Sequence, residues 1–274
     1  MNALAAIAGQ EIRAGLRNRW AVATTLLLAA LALSLVLLGS TPTGTVGASP
    51  VAVVVVSLAS LTIFLLPLLA LLLSFDAIVG EAERGTLLLL LAYPVSRWQV
   101  VVGKFLGHAS ILALATVVGY GAAGVLLAIT TDADAEAWAT FGLLIGTSIL
   151  LGMAFVALGT LASMVRERPT AAGLSVGLWL LFVLLYDSAL LGLLVVDQGT
   201  LVSGRVLDAL LLLNPADAYR LVNLTGAGAA ALLTGMSAPG EAGQIPTAAL
   251  YAALAAWIVA PLAAAIAVFN RRHP

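Results

Sequence analysis

Five sets of residues in this chain have the types needed for chemistry. Gly173-Leu174-Ser175-Val176-Gly177 matches the G-x-S-x-G pattern of hydrolase nucleophiles. That pattern works on a strained strand-to-helix turn with a histidine base nearby. Here it lies inside an apolar run, where small residues serve close helix packing. The histidines, His108 and His273, are isolated and form neither H-E-x-x-H nor another paired ligand set. His108 reads as a hydrogen-bonded residue near the inner end of a span, and His273 as solvated. Asp187 follows Tyr186, an interface-loving residue, and reads as the outer cap of a span. If that span runs on to Val196, the carboxyl instead lies within the membrane and is a functional candidate. No second membrane aspartate and no G-x-G-D accompany it, so an intramembrane aspartyl protease is not indicated. Soft metal ions need sulfur ligands. The chain has no cysteine, and its methionines are Met1, Met153, Met164 and Met236. Met153 and Met164 fall in one span about three turns apart and cannot share an ion. A G-x-x-x-x-G-K-[ST] phosphate loop is absent, so nucleotide energy must come from another chain.

The richest stretch runs Glu81-Ala82-Glu83-Arg84-Gly85-Thr86-Leu87, then Leu88 to Leu91, then Pro94-Val95-Ser96-Arg97 and Gly103-Lys104. Glutamates at its start suit the positive end of a helix dipole. Pro94 limits the helix at Ala92 or Tyr93. The pattern predicts one short, rigid helix over residues 81–93, apolar on one side and suited to docking in a groove on a partner. Arg97 and Lys104 have a simpler alternative role as headgroup anchors of span ends.

The elements that must hold these residues are set by composition. Of 274 residues, 62% are hydrophobic and 9% charged, with a net charge of −1. Soluble domains carry about 25% charge. An ordinary soluble enzyme and a disordered chain are excluded, and no basic field exists to bind nucleic acid. Eleven arginines to one lysine point to a GC-rich prokaryotic genome. A spanning helix needs roughly 20 apolar residues. Six stretches qualify: 20–39, 51–74, 105–130, 139–165, 171 to between 186 and 196, and 248–269. The first is too long for a signal peptide and reads as uncleaved. With six crossings one side holds ten basic residues (Arg13, Arg17, Arg19, Arg84, Arg97, Lys104, Arg166, Arg168, Arg271, Arg272) and the other only Arg205 and Arg220. Positive charge marks the cytoplasm, which places both termini there. Before the first span, Leu4, Ile7, Ala8, Ile12 and Leu16 share a face, with Arg13 and Arg17 beside it. This predicts an amphipathic helix on the cytoplasmic surface. The outer stretch from Asp187 to Gln244 is too apolar for a free loop and reads as short helices near the outer membrane face.

The order E-x-E-R-G-T, a leucine run, P-V-S-R and G-K after the second span resembles the permease subunits of the ABC-2 transporter family. Within it, Phe75-Asp76-Ala77-Ile78-Val79-Gly80-Glu81 and Asn214-Pro215-Ala216-Asp217-Ala218-Tyr219-Arg220 resemble the permeases that serve maturation of nitrous oxide reductase. The resemblance implies an all-α membrane protein of type V exporter form. Residues 1–274 then make one transmembrane domain, with an interfacial helix at 1–19, a coupling region at 75–104 and a periplasmic helical insertion at 187–245. It also implies a homodimer of permeases in the inner membrane, two copies of a cytoplasmic ABC ATPase that bind ATP and magnesium, and a periplasmic partner. The permease itself would bind no cofactor or metal and have no catalytic residue. Coupling to the ATPase would fall to Glu81, Glu83, Arg84, Gly85, Thr86, Leu87, Pro94 and Arg97. Docking of the periplasmic partner would fall to Asn214, Pro215, Asp217, Tyr219 and Arg220. Two alternatives stay open: export of an organic or sulfur-containing substrate, and proton-coupled secondary transport through Asp187 or His108. The absence of an inverted repeat and the scarcity of intramembrane charge count against the second.

Overall fold

The computed structural model describes residues 3–17, 19–39, 50–197, 203–226 and 245–271. Met1, Met236, Gln244, Arg272 and His273, invoked above, lie outside them. The described residues are helical, with no strand among them. In chain order the helices are α1 (Ala3–Leu16), α2 (Arg19–Gly39), α3 (Pro50–Ser74), α4 (Val79–Glu83), α5 (Thr86–Leu91), α6 (Arg97–Thr130) and α7 (Ala135–Ala162). There follow α8 (Arg168–Leu180), a π-helical turn (Leu181–Leu185), α9 (Tyr186–Asp197), α10 (Gly204–Leu212), α11 (Pro215–Gly226) and α12 (Thr247–Arg271).

Five helical stretches among the described residues are long and apolar enough to cross a membrane: 51–83, 97–130, 135–162, 168–197 and 247–271. Helix α2 adds 21 residues, apolar over Val22–Leu37. Local chemistry sets several ends. Ser96 and Gln99 form a reciprocal capping box at the start of α6, and Asp134 accepts from Ala137 N at 2.9 Å at the start of α7. Pro67 and Pro261 sit inside α3 and α12, where packing in the bundle absorbs their missing donors.

Helix α7 is the centre of the bundle and contacts α3, α6, α11 and α12. Its Leu151, Ala154, Phe155 and Ala157 are fully buried. Gly159 brings α7 against Ser74 and Leu71 of α3; a β-carbon there would strike Ser74 Oγ and lie 3.4 Å from Leu71 Cα. Gly159→Val is therefore expected to destabilise the fold by about 1–3 kcal/mol or more. Gly146→Ala, whose β-carbon would meet nothing within 4 Å, is the matched control. Thermal unfolding of the purified variants in detergent checks this, and equal midpoints would refute the packing argument.

Three expectations are corrected. Helix α1 is not a free surface helix: Ile7 and Glu11 lie against Gly103 and Gly107, so α1 runs alongside α6 in the same direction. Two glycines four apart on one face of α6 permit this close approach. Ile7 is buried there, but Leu16, expected on the same face, is half exposed. Second, residues 81–93 are not one helix. Gly85 has φ 72°, a left-handed conformation that glycine tolerates, and it separates α4 from α5. Third, the helix of the fifth apolar stretch does not end at Tyr186. The π turn carries helical structure on to Asp197, so Asp187 sits within a continuous helical stretch rather than capping one.

Candidate functional site

One charged cluster is built where α1, α4 and α6 meet. The Lys104 side chain, 3% exposed, bonds to Glu11 Oε1 of α1 and to Glu81 Oε1 of α4, the latter at 2.6 Å. The expectation that Lys104 anchors a span end at the headgroups is thus corrected. A buried ammonium needs close counter-charges, and two carboxylates reach this one. His108 Nδ1 lies 2.9 Å from the Lys104 carbonyl, and its Nε2 is 4.0 Å from Glu11 Oε2, which fits the hydrogen-bonded role expected of it. A cavity of about 260 Å³ adjoins the cluster, lined by Glu11, Asp76, Glu81, Arg84, Lys104 and His108 among others.

The stretch 75–104 is fastened at the base of α4 and exposed at the tip of α5. Ser163 Oγ, just after α7, accepts the backbone N–H groups of Ile78 and Val79 at 2.7 and 3.2 Å. It thereby satisfies donors that the first turn of α4 would leave open. Glu83 Oε1 accepts from Arg168 N at 2.8 Å, and Arg168 Nε pairs with Asp76 Oδ1 at 2.9 Å. Arg84 is 3.8 Å from Asp76 and largely exposed. The Thr86 hydroxyl donates to the Glu81 carbonyl at 3.3 Å, which spans the bend at Gly85. Leu87 packs inward against a cluster containing Ile7, Ile78, Val100, Met164 and Phe269. Pro94 is exposed just after α5. Leu88, Leu89 and Tyr93 are 60%, 68% and 69% exposed. Arg97 faces elsewhere: its guanidinium donates to the carbonyls of Phe269 and Asn270 at 2.9 and 3.2 Å. It caps the last turn of α12, where open carbonyls and the dipole favour a cation.

The second cluster fixes α11 to the bundle. Asn214 Nδ2 reaches the carbonyl of Phe182 in the π turn and Asp217 Oδ2, both at 3.0 Å, while its Oδ1 accepts from Ala216 N. Arg220 donates to Asp217 at 2.9 Å and to Asp187 of α9 at 2.6 Å. Deeper in, Tyr219 Oη lies 3.0 Å from Ser148 Oγ, and Asn223 Nδ2 donates to Thr147 Oγ1 at 3.0 Å. Asn214, Asp217 and Tyr219 have at most 2% exposure, and Pro215 is also buried. Their side chains hold α11 in place rather than present a surface; of the five residues expected to dock a partner, Arg220 alone is substantially exposed. Burial first, and then the Asp187 charge, pushes the Asp217 carboxyl up to about 7, with Arg220 pulling the other way.

The remaining candidates stay apart. Met153 lies in α7, but Met164 falls just past its end, packed in the cluster with Ile7. Ser175 is buried in α8, its hydroxyl without a hydrogen-bond partner among the described residues. A β-carbon at Gly173 or Gly177 would meet nothing within 4 Å, so these glycines serve no close packing among the described residues. No group of three metal-ligating side chains occurs among the described residues. Sequence reasoning missed Glu11 and Asp76 at the first cluster, and Ser163 and Arg168 at the base of α4. Glu11 carried a signal, since it lies four residues after Ile7 on one helix face.

Comparison with known proteins agrees with this architecture. Residues 5–273 match the family model described as ABC-2 family transporter protein. A protein of Pseudomonas aeruginosa named probable ABC transporter permease protein NosY is 50% identical over 271 residues, 97% of each chain. A protein of Stutzerimonas stutzeri with the same name is 45% identical over 276 residues, 99% of each chain. With several apolar helices of membrane length and matches along nearly its whole length, the chain belongs to the ABC-2 family of transporter proteins, as a multi-pass permease.

Proposed function

We propose that the chain is the membrane subunit of an ATP-driven transporter that serves maturation of the copper centres of nitrous oxide reductase. It crosses the inner membrane six times, with α2 as the first span and both termini in the cytoplasm, which accords with the ten-to-two bias of basic residues. It forms one domain with the cytoplasmic coupling region 75–104 and the periplasmic insertion 187–245. Two permeases pair with two NosF-like ATPases, which hold the ATP and magnesium, and with a periplasmic NosD-like protein.

The observation that carries this reading is the pair α4 and α5, tied at its base to α1, α6 and α8 and exposing Leu88, Leu89 and Tyr93 at its tip. Such an element converts displacement by a bound ATPase into movement of spans. Glu81 and Glu83 hold the base, Gly85 and Thr86 set the bend, and Arg84 and Pro94 border the contact. Outside, α10 and α11 carry the movement to the periplasmic partner. The work is mechanical: copper is not carried through this chain. A bare cation in hydrocarbon needs successive polar or soft sites. Among the described residues the sulfurs on offer are the widely separated Met153 and Met164.

The test is the copper content of the reductase in cells carrying Met153→Leu with Met164→Leu. Loading is expected to stay near the parental level, since methionine and leucine are close in volume. Loss of copper with the permease still inserted and assembled would overturn the mechanical reading. Export of an organic or sulfur-containing substrate would then return as the working alternative.

A further inference from the structure

Arg220 stands between two carboxylates on different elements. Asp187 belongs to the long stretch 168–197, its side chain 27% exposed; Asp217 belongs to α11, its side chain 3% exposed. One guanidinium faces two acids, so the trio carries a charge of −1 when all three are ionised. The second oxygen of Asp217 is already engaged by Asn214, and Asn214 is in turn bonded to the π turn at Phe182. Tyr186, next to Asp187, donates to the Leu210 carbonyl at 2.6 Å and closes the same side. The titratable and charged groups acting on Asp217 are thus Asp187 and Tyr186 from α9 and Arg220 from its own helix.

We propose that Asp187, Asp217 and Arg220 form a proton-binding latch between the helical stretch 168–197 and α11, closed when the carboxylate pair holds one proton. With that proton, Asp217 is neutral, its burial costs little, and Arg220 makes a simple ion pair with Asp187. Without it, two carboxylates repel across one guanidinium in a poorly hydrated place. On the proposed topology residues 187–245 lie outside, so the partly exposed Asp187 and Arg220 face the periplasmic side and no path through the bundle is needed.

The sign follows from linkage. The folded-state value for Asp217 is raised from 3.8 to about 7. The packed arrangement therefore binds the proton better than the loosened one. Its advantage is fully present below the ordinary carboxylate value and lost as pH rises through neutrality. The latch is closed in mildly acidic surroundings and loosens in alkaline ones. On the proposed topology it lies on the periplasmic side, where ambient pH is felt directly.

The test uses the full permease with its ATPase in lipid nanodiscs, without nucleotide. The chain has no cysteine, so Ser188→Cys and Leu213→Cys place two unique spin labels at exposed positions beside the latch. The distance distribution between them is expected to shift or broaden between pH 6 and pH 8.5, with a midpoint near 7. Asp217→Asn, which mimics the protonated acid at equal volume, is expected to hold the low-pH distribution throughout. Asp187→Asn removes the repelling charge and is expected to lower the midpoint by about one pH unit or more. A pH-independent distribution in the parent, or a transition that persists in Asp217→Asn, would overturn the latch. Neither result depends on ATP hydrolysis or a periplasmic partner, so the proposed function stands or falls separately.

Discussion

Lys104→Met is expected to cost the folded permease about 3–5 kcal/mol, because it leaves the Glu11 and Glu81 carboxylates facing each other in a poorly hydrated site. Against a total stability of roughly 5–15 kcal/mol for a domain, such a loss empties much of the folded population at growth temperature. Methionine is nearly as long as lysine, so the effect is electrostatic and not a cavity. Lys104→Met combined with Glu11→Gln and Glu81→Gln removes the two stranded charges and is expected to recover most of the loss. Thermal unfolding and monodispersity of the purified chains check both. A stable single variant, or a triple variant no better than it, would show that the cluster is hydrated and weak.

Leu88→Asp with Leu89→Asp is expected to release the ATPase from the permease while leaving the bundle intact. These side chains are more than half exposed, so the substitution costs the fold little. An exposed apolar tip, on the cytoplasmic side in the proposed topology, is normally covered by a partner. Buried anchors of an interface are worth about 2 kcal/mol or more each when lost, which is about 30-fold in affinity. Co-purification of the ATPase with tagged permease should fall by at least that factor, and ATP turnover of the mixture should return to that of the free ATPase. Undiminished capture would place the contact elsewhere.

Much of the fold was legible because its signals are local. Apolar runs near 20 residues announce spans. Pro94 predicts a helix end at Ala92 or Tyr93; α5 ends at Leu91, with Ala92 as its C-cap. The charged clusters were not legible, because their members are distant in sequence. Glu11 and Lys104 are 93 residues apart, and Asp187 and Arg220 are 33 apart. Only the packing of α1 on α6 and of α11 beside α9 brings them together. Positive charge was read as a marker of membrane sides, which is a rule about loops and interfaces. It could not foresee that Lys104 and Arg97 point inward to bond Glu11, Glu81 and the end of α12. The break at Gly85 had a signal in the glycine itself, but a leucine run after it read as continuous helix. The inward turn of Asn214, Asp217 and Tyr219 had none, since a polar stretch outside a span looks alike whether it faces a partner or the chain's own core.

The central claim is that α5 is where an ATPase grips this permease. It is tested most directly by a single cysteine, Leu89→Cys, which is unique in a chain without cysteines. It is loaded with a short photoactivatable maleimide in membranes that contain the whole transporter. Illumination is expected to join the permease to the ATPase subunit in one product, and an equivalent probe at Val195→Cys should give none. Cross-linking at Val195 but not at Leu89, or labelling of Leu89→Cys by an impermeant reagent from the periplasmic side, would contradict the account.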